Sequence, residues 1–289
     1  MVEKQFGESE KIMSTYIIAE IGINHNGDVN LAKELIDKAK SSGCNAVKFQ
    51  KRDIESVYTK EELDAPRESP WGNTNRHQRL GLEFSIEQYK ELYRYTKSLG
   101  MDFGVSCWDT VSVSLIEKEL NIDFHKVASA LVTHKDFLLS LNKSNKPVIL
   151  STGMSTDEQV DAALNILGDN VSYVLACTST YPTKAEEVNL RYIDSLKKRY
   201  KSKKIGFSNH YNGHDACVAA VARGAECIEF HITKDRTMYG SDQAASIENA
   251  ESLVTAVRTV EKMLGTERKT ILDTEKPILS KLRKITTTV

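Results

Sequence analysis

Tyr16-Ile17-Ile18-Ala19-Glu20-Ile21-Gly22-Ile23-Asn24 is the first apolar run of the chain, and Ala46-Val47-Lys48-Phe49-Gln50 is the second. Between them Ala32, Leu35, Ile36 and Ala39 recur at helical spacing, and Gly43 follows as a C-terminal cap. This is a strand–helix–strand unit, and the alternation continues to the end of the chain. Further β-branched or apolar runs occupy Met101–Trp108, Phe124–Ser129, Pro147–Thr152, Val171–Thr178, Lys204–His210 and Glu226–Thr233. Ser85 and Gln88 predict a capping box ahead of Tyr89, Leu92, Tyr93 and Thr96, with Gly100 behind them; Ser155 and Glu158 predict another ahead of Val160, Ala163, Leu164 and Leu167. Leu253, Val257, Val260 and Leu264 form the last stripe. Eight such units in 289 residues predict an α/β fold, the closed (β/α)8 TIM barrel, which typically takes about 250 residues. An open doubly wound sheet normally carries a GxGxxG first turn, and Asn24-His25-Asn26-Gly27-Asp28 lacks that spacing.

Composition narrows the function. Forty acidic residues face 39 basic ones, for a net charge of −1, so the basic excess of a non-specific nucleic-acid or membrane-surface binder is missing. The first residues, Met1 to Lys11, are polar and charged, with no apolar core of a signal peptide, and no run approaches the roughly 18 apolar residues of a membrane span. The five cysteines (Cys44, Cys107, Cys177, Cys217 and Cys227) are odd in number and form no CxxC pair. Reduced thiols and a cytoplasmic location are the simple expectation. One connection is long: Lys51–Phe84 contains Pro66, Pro70, Trp71, Gly72, Arg76, His77 and Arg79. It reads either as a lid or binding loop over the barrel mouth or as a variable surface insertion.

Active sites of such barrels lie at the C-terminal ends of the strands, and polar residues collect there. Strand alternation places Ile18, Glu20, Gly22 and Asn24 on one face, and an acid on so apolar a strand is costly without partners. Lys48 and Gln50 share a face of the second strand, and Lys126 precedes Ser129 on the fourth. Ser151, Thr152 and Gly153 end the fifth strand, and Cys177-Thr178-Ser179-Thr180-Tyr181-Pro182 the sixth. Ser208 and His210 share a face, as do Glu229 and His231. Two imidazoles ending neighbouring strands suit a divalent metal that keeps open positions, against the alternative of two structural histidines. His25, His77, His125, His134 and His214 read as turn, loop or surface residues. Lys48 and Lys126, with the hydroxyls of Ser129, Ser151, Ser179 and Ser208, suit a phosphate. The lysines also read as snorkelling surface side chains, or as the Schiff-base nucleophile of a class I aldolase.

Taken together, Ala19-Glu20-Ile21-Gly22-Ile23-Asn24-His25-Asn26-Gly27, Val47–Gln50, Lys126–Ser129, Leu150–Met154, Cys177–Thr183, Ile205–His210 and Glu229–Thr233 resemble, in order, the motifs of the sialic acid synthase family. The resemblance spans roughly residues 16 to 277. It implies a TIM barrel that condenses phosphoenolpyruvate (PEP) with an N-acylated hexose, an amino-sugar, to give a nine-carbon 2-keto acid and inorganic phosphate. By the same resemblance His210 and His231 hold a divalent metal, manganese or magnesium. Lys48, Lys126, Ser129, Ser151, Ser179 and Ser208 hold PEP; Gln50, Tyr181 and Asp242 serve the sugar; and Glu20 and Glu229 are the catalytic acids, either able to move protons. A homodimer is implied too. The chain divides into an N-terminal extension (1–15), the barrel (16–265) and a tail (266–289), and the family's small antifreeze-like C-terminal domain is expected to be missing. Three positions depart from the family pattern: Cys107-Trp108 stands for a Thr-Pro step, Ser129-Ala130-Leu131 lacks an acid, and Phe230 replaces a basic residue. A Schiff-base aldolase and a non-catalytic sugar-binding barrel are the competing readings.

Overall fold

Each expected apolar run is a strand of the structure, a computed structural model that describes residues 14–284. The strands are β1 (Tyr16–Gly22), β2 (Ala46–Lys51), β3 (Asp102–Cys107), β4 (Phe124–Val127), β5 (Val148–Ser151), β6 (Val171–Cys177), β7 (Lys204–Asn209) and β8 (Cys227–His231). All pair in parallel and close into a barrel in the order β1-β8-β7-β6-β5-β4-β3-β2. This is the (β/α)8 TIM barrel. Helices α1 (Val29–Ser42), α2 (Ile86–Ser98), α3 (Thr110–Glu119), α4 (Lys135–Lys143), α5 (Asp157–Leu167), α6 (Tyr192–Arg199), α7 (Asp215–Ala222) and α8 (Ala250–Leu264) follow the strands in turn. Most of the expected N-terminal extension, and the last residues of the expected tail, lie outside the described residues.

The period of two along each strand organises the interior. Outward residues such as Ile17, Ala19 and Ile21 join Leu35, Ile36 and Val257 in the large core between barrel and helices. Inward residues Ile18, Ala46, Phe124, Ile149, Leu175 and Cys227 form a separate apolar plug inside the barrel. Gly104 on β3 admits the Phe124 ring to that plug: a Cβ there would stand 2.2 Å from the ring. Two residues further along the same strands, the inward positions are Glu20, Lys48, Lys126, Ser151, Cys177 and Glu229. The apolar plug is thus the floor of a polar layer.

Local signals act largely as expected. Gly43 caps α1 at φ 88°, and the Ser85–Gln88 capping box starts α2. The box of α5 is displaced by one residue from the expected Ser155–Glu158 and is made by Thr156 and Gln159, because the Ser155 hydroxyl is engaged with Gly153 O. His125 is not a turn or surface residue: it is fully buried on β4 and meets Glu117 Oε1 at 2.7 Å. The long connection is built, not loose. It holds the short helices Ile54–Val57, Lys60–Asp64 and Asn75–Leu82, and an antiparallel ribbon pairing Pro66–Ser69 with Gly72–Thr74. Lys51 Nζ to Glu83 Oε1 at 2.7 Å ties its ends together. Trp71 lies against Tyr239, with ring centroids 5.5 Å apart. Among the described residues no helix is long and apolar enough to cross a membrane.

His25 joins this connection to the barrel. It is buried, stacks on Phe84 at 4.0 Å and accepts a hydrogen bond from Gly27 N at Nδ1. Burial pushes its pKa down to about 3. An unfolded chain takes up that proton near pH 6.5 and the folded chain does not, so stability is full above that pH and falls as the pH drops towards 3. Chemical denaturation is expected to show about 2 kcal/mol less stability from this residue at pH 5 than at pH 7, and His25→Gln is expected to flatten that part of the slope.

Candidate active site

Four charges are enclosed on the floor just described. Glu20 and Lys126 are 1% and 3% exposed, and Lys48 and Glu229 are each 4% exposed. Lys48 Nζ lies 2.5 Å from Glu20 Oε2 and 3.4 Å from Glu229 Oε1, and Lys126 Nζ lies 3.5 Å from Glu229 Oε2. The register brings them together, since Glu20 sits opposite Lys48 on β2 and opposite His231 on β8. Burial pulls both ammonium groups down in pKa. At Lys48 the Glu20 and Glu229 carboxylates reverse that pull and raise it, whereas at Lys126 burial wins and Lys48 adds to it. Burial would raise the Glu229 carboxyl, but Lys126 and Lys48 outweigh it and hold the group well below the usual carboxylate range. Neutral donors complete the network: Gln50 Nε2 donates to Glu20 Oε1 at 2.7 Å, and Ser208 Oγ to Glu229 Oε2 at 3.1 Å. Lys48 donates to Ser106 Oγ at 2.9 Å and Lys126 to Ser151 Oγ at 2.7 Å.

On one side of these charges three loops converge. A Cβ on Gly153, in the turn after β5, would stand 2.2 Å from Ser179 Oγ and 2.7 Å from Ser129 Oγ. The missing side chain therefore lets hydroxyls from the ends of β4 and β6 meet over the end of β5, with Lys126 beneath. Such a cluster of hydroxyls beside a buried ammonium suits a phosphate.

On the other side are the imidazoles. The His210 and His231 ring centroids are 5.4 Å apart. His210 Nδ1 faces Thr178 O at 2.7 Å; a carbonyl only accepts, so Nδ1 carries a proton, and in the neutral ring the lone pair is on Nε2. His231 Nδ1 is buried without a hydrogen bond, 3.5 Å from Asp242 Oδ2. Burial lowers the pKa of His231 despite Asp242. The Tyr181 ring covers the pair, 4.0 Å from His210 and 5.7 Å from His231.

All the nominated side chains except Asp242 line one cavity of about 250 Å³. Asp242 stands behind it, against His231 and the Gly22 backbone. Ser106, Trp108, Met154 and Cys177 also line the cavity and were not singled out from the sequence as site residues. Strand period alone identifies Ser106 and Cys177, which lie two residues beyond the inward Gly104 and Leu175. Cys177 Sγ lies 3.6 Å from Ser129 Oγ and 3.8 Å from His210 Nδ1.

The model of the NeuB family matches residues 35–269, most of the chain. The chain belongs to the NeuB family. This NeuB-family chain is 41% identical to the human N-acetylneuraminate-9-phosphate synthase over 93% of its own length and 76% of that protein. It is 36% identical to the N,N'-diacetyllegionaminic acid synthase of Campylobacter jejuni, over 93% and 83% of the two chains. The crystal structure of the sialic acid synthetase of Leptospira borgpetersenii, in complex with citrate, superposes with a TM-score of 0.81 at 29% identity, covering 95% of this chain and 94% of that one. The chain is therefore an enzyme, a synthase of the class that makes sialic-type (nonulosonic) acids.

Gly153→Ala is expected to leave the barrel folded, because the severe contacts of the added methyl are with the Ser179 and Ser129 hydroxyls, which can rotate away, and Ser129 Cβ at 3.2 Å needs to give by only a few tenths of an ångström. Those hydroxyls would then no longer converge. Calorimetry is expected to show PEP affinity falling about tenfold or more, the worth of one or two hydrogen bonds to a charged group.

Proposed function

We propose that this NeuB-family enzyme condenses PEP with the open-chain form of an N-acylated hexose, releasing inorganic phosphate. The observation that carries the reading is the placement of one hydroxyl-and-lysine cluster and one imidazole pair on opposite sides of a single buried cavity. In this reading C3 of PEP bonds to the sugar aldehyde carbon, water adds at C2, and the resulting tetrahedral carbon expels phosphate. The relatives' names include both a 9-phosphate product and unphosphorylated acids, so the acceptor is taken here only as far as an N-acylated hexose.

The residues divide the work by position. Ser129, Ser179 and the Gly153 turn hold the phosphoryl group, and Lys126 and Ser151 neutralise and orient it from below. Such donors, fixed before substrate arrives, are often the largest catalytic contribution. Gln50, Tyr181 and Asp242 flank the acceptor. Glu229, held ionised by two lysines, is a poor proton acceptor and serves as a fixed charge that positions Lys126 and Ser208. Proton movement then falls to Glu20, whose Oε1 is already oriented by Gln50.

The imidazole pair fits a divalent cation. His231 presents a buried ring nitrogen without a hydrogen-bond partner, with the Asp242 carboxylate alongside, and His210 ends the neighbouring strand with its ring held through Nδ1 by Thr178 O. The four enclosed charges of the floor sum to zero, so a polyanionic substrate calls for added positive charge. Bound by His210 and His231, the cation would polarise the acceptor carbonyl as a Lewis acid.

The lowered pKa of Lys126 favours one rival, a Schiff-base aldolase. Its ammonium protons are committed to Ser151 Oγ and Val127 O, which oppose the free approach a nucleophile needs. Borohydride trapping of a lysine adduct would support that rival.

Phosphate release from PEP plus a panel of N-acylated hexoses tests the proposal. Exhaustive chelation is expected to abolish turnover and added Mn2+ to restore it. His210→Ala is expected to lower the rate by about 100-fold or more, as for loss of a principal electrostatic group, with an unchanged melting temperature. Full activity after chelation would sink this reading.

A further inference from the structure

Trp71 does not line the cavity, yet it is tightly seated beside it. It lies in the turn of the ribbon in the long connection, and its indole is pressed against the backbone of Gly81: a Cβ on Gly81 would stand 2.1 Å from the ring. Gly81 sits in the helix Asn75–Leu82, so the close approach of the ring, and not a left-handed φ, calls for glycine there. The Gly81 carbonyl in turn packs on the turn after β1, where a Cβ on Gly27 would stand 2.0 Å from it. On its other side Trp71 meets Tyr239 edge-to-face, with ring centroids 5.5 Å apart and planes at 77°.

Tyr239 belongs to the loop from β8 to α8, which also carries Asp242. From Lys234 to Thr237 that loop is exposed. At Tyr239 it is held from two sides: by the Trp71 ring, and by the buried Gln243, whose Nε2 donates to Tyr239 O at 3.3 Å and whose Oε1 accepts from Thr233 Oγ1 just past β8. Asp242 falls between these two anchors, with Oδ2 3.5 Å from His231 Nδ1. The phosphoryl side of the cavity, with Ser129, Gly153 and Ser179, is built instead at the ends of β4, β5 and β6. We infer that Trp71 is a positioning residue for the acceptor: wedged between Gly81 and Tyr239, it holds the loop that sets Asp242 against His231, and it does so without touching substrate. This rests on the PEP-condensing reading above and deepens it. An aromatic ring suits the task, because it is rigid and its edge-to-face contact is directional. Misplacing a group by about 1 Å from a remote contact can cost on the order of 100-fold in rate. Because the wedge acts on one side of the cavity, the loss falls on the acceptor and not on PEP.

The test is steady-state phosphate release at saturating Mn2+ from PEP plus N-acetylmannosamine, its 6-phosphate or a diacetamido-hexose, read with whichever acceptor turns over fastest. Trp71→Ala is expected to lower kcat/KM for that acceptor about tenfold or more. PEP affinity, measured by calorimetry on the same Mn2+-loaded protein, is expected to stay within about twofold. Trp71→Phe, which keeps a ring edge for Tyr239, is expected to recover most of the loss. Tyr239→Leu removes the contact from its other side and is expected to give the same loss, with the double variant no worse than either single one. It also carries the test if melting temperatures show that Trp71→Ala does not fold. An unchanged acceptor kcat/KM in the folded variants, a matching loss of PEP affinity, or losses that simply add would overturn the inference while the synthase reading stands. No phosphate release by the unaltered enzyme with any of the acceptors would overturn both.

Discussion

The 2.5 Å contact between Lys48 and Glu20, closed off from water, is the interaction on which the site depends. Neither charge is tolerable there alone; breaking such a buried pair typically costs about 3–5 kcal/mol. Each is also tied to a second element: Glu20 to Gln50, and Lys48 to Ser106 and Glu229, with Glu229 passing the chain of charge on to Lys126. The network crosses the inside of the barrel from β1 and β2 through β8 to β4. The apolar plug two residues below it excludes water and fixes the strands that carry it.

This arrangement explains why the cavity is two-sided. A neutral set of four charges cannot by itself attract a polyanion, but it can hold the cavity's shape and present oriented protons. In the proposed reading the hydroxyls around Gly153 take one phosphoryl group, and the imidazoles under Tyr181 take a cation. Each side is then specified by a different part of the chain: the middle strands and the last two strands.

How much of this could be read from the sequence follows from how local each determinant is. Period two along a strand is local, so the eight strands, the imidazole pair and the inward Glu20, Lys48, Lys126 and Glu229 were all legible, as was Gly43 at the end of α1. Ser106 obeys the same rule, but Gly104 removes the apolar residue that would mark its face. The position of His125 depends on Glu117 from the preceding helix, and the α5 box on a contact between Ser155 and Gly153. The long connection was the least legible. Its structure is set by partners distant in sequence, such as Trp71 on Tyr239 and His25 on Phe84.

The central claim is that a charge-neutral buried floor takes PEP more tightly when positive charge is added at the imidazoles. Calorimetric titration of PEP into metal-free and Mn2+-loaded enzyme measures this directly. The expected result is PEP affinity at least tenfold tighter with the cation present, with the reciprocal tightening of the cation when PEP is bound. Equal PEP affinity in the two forms would contradict the account.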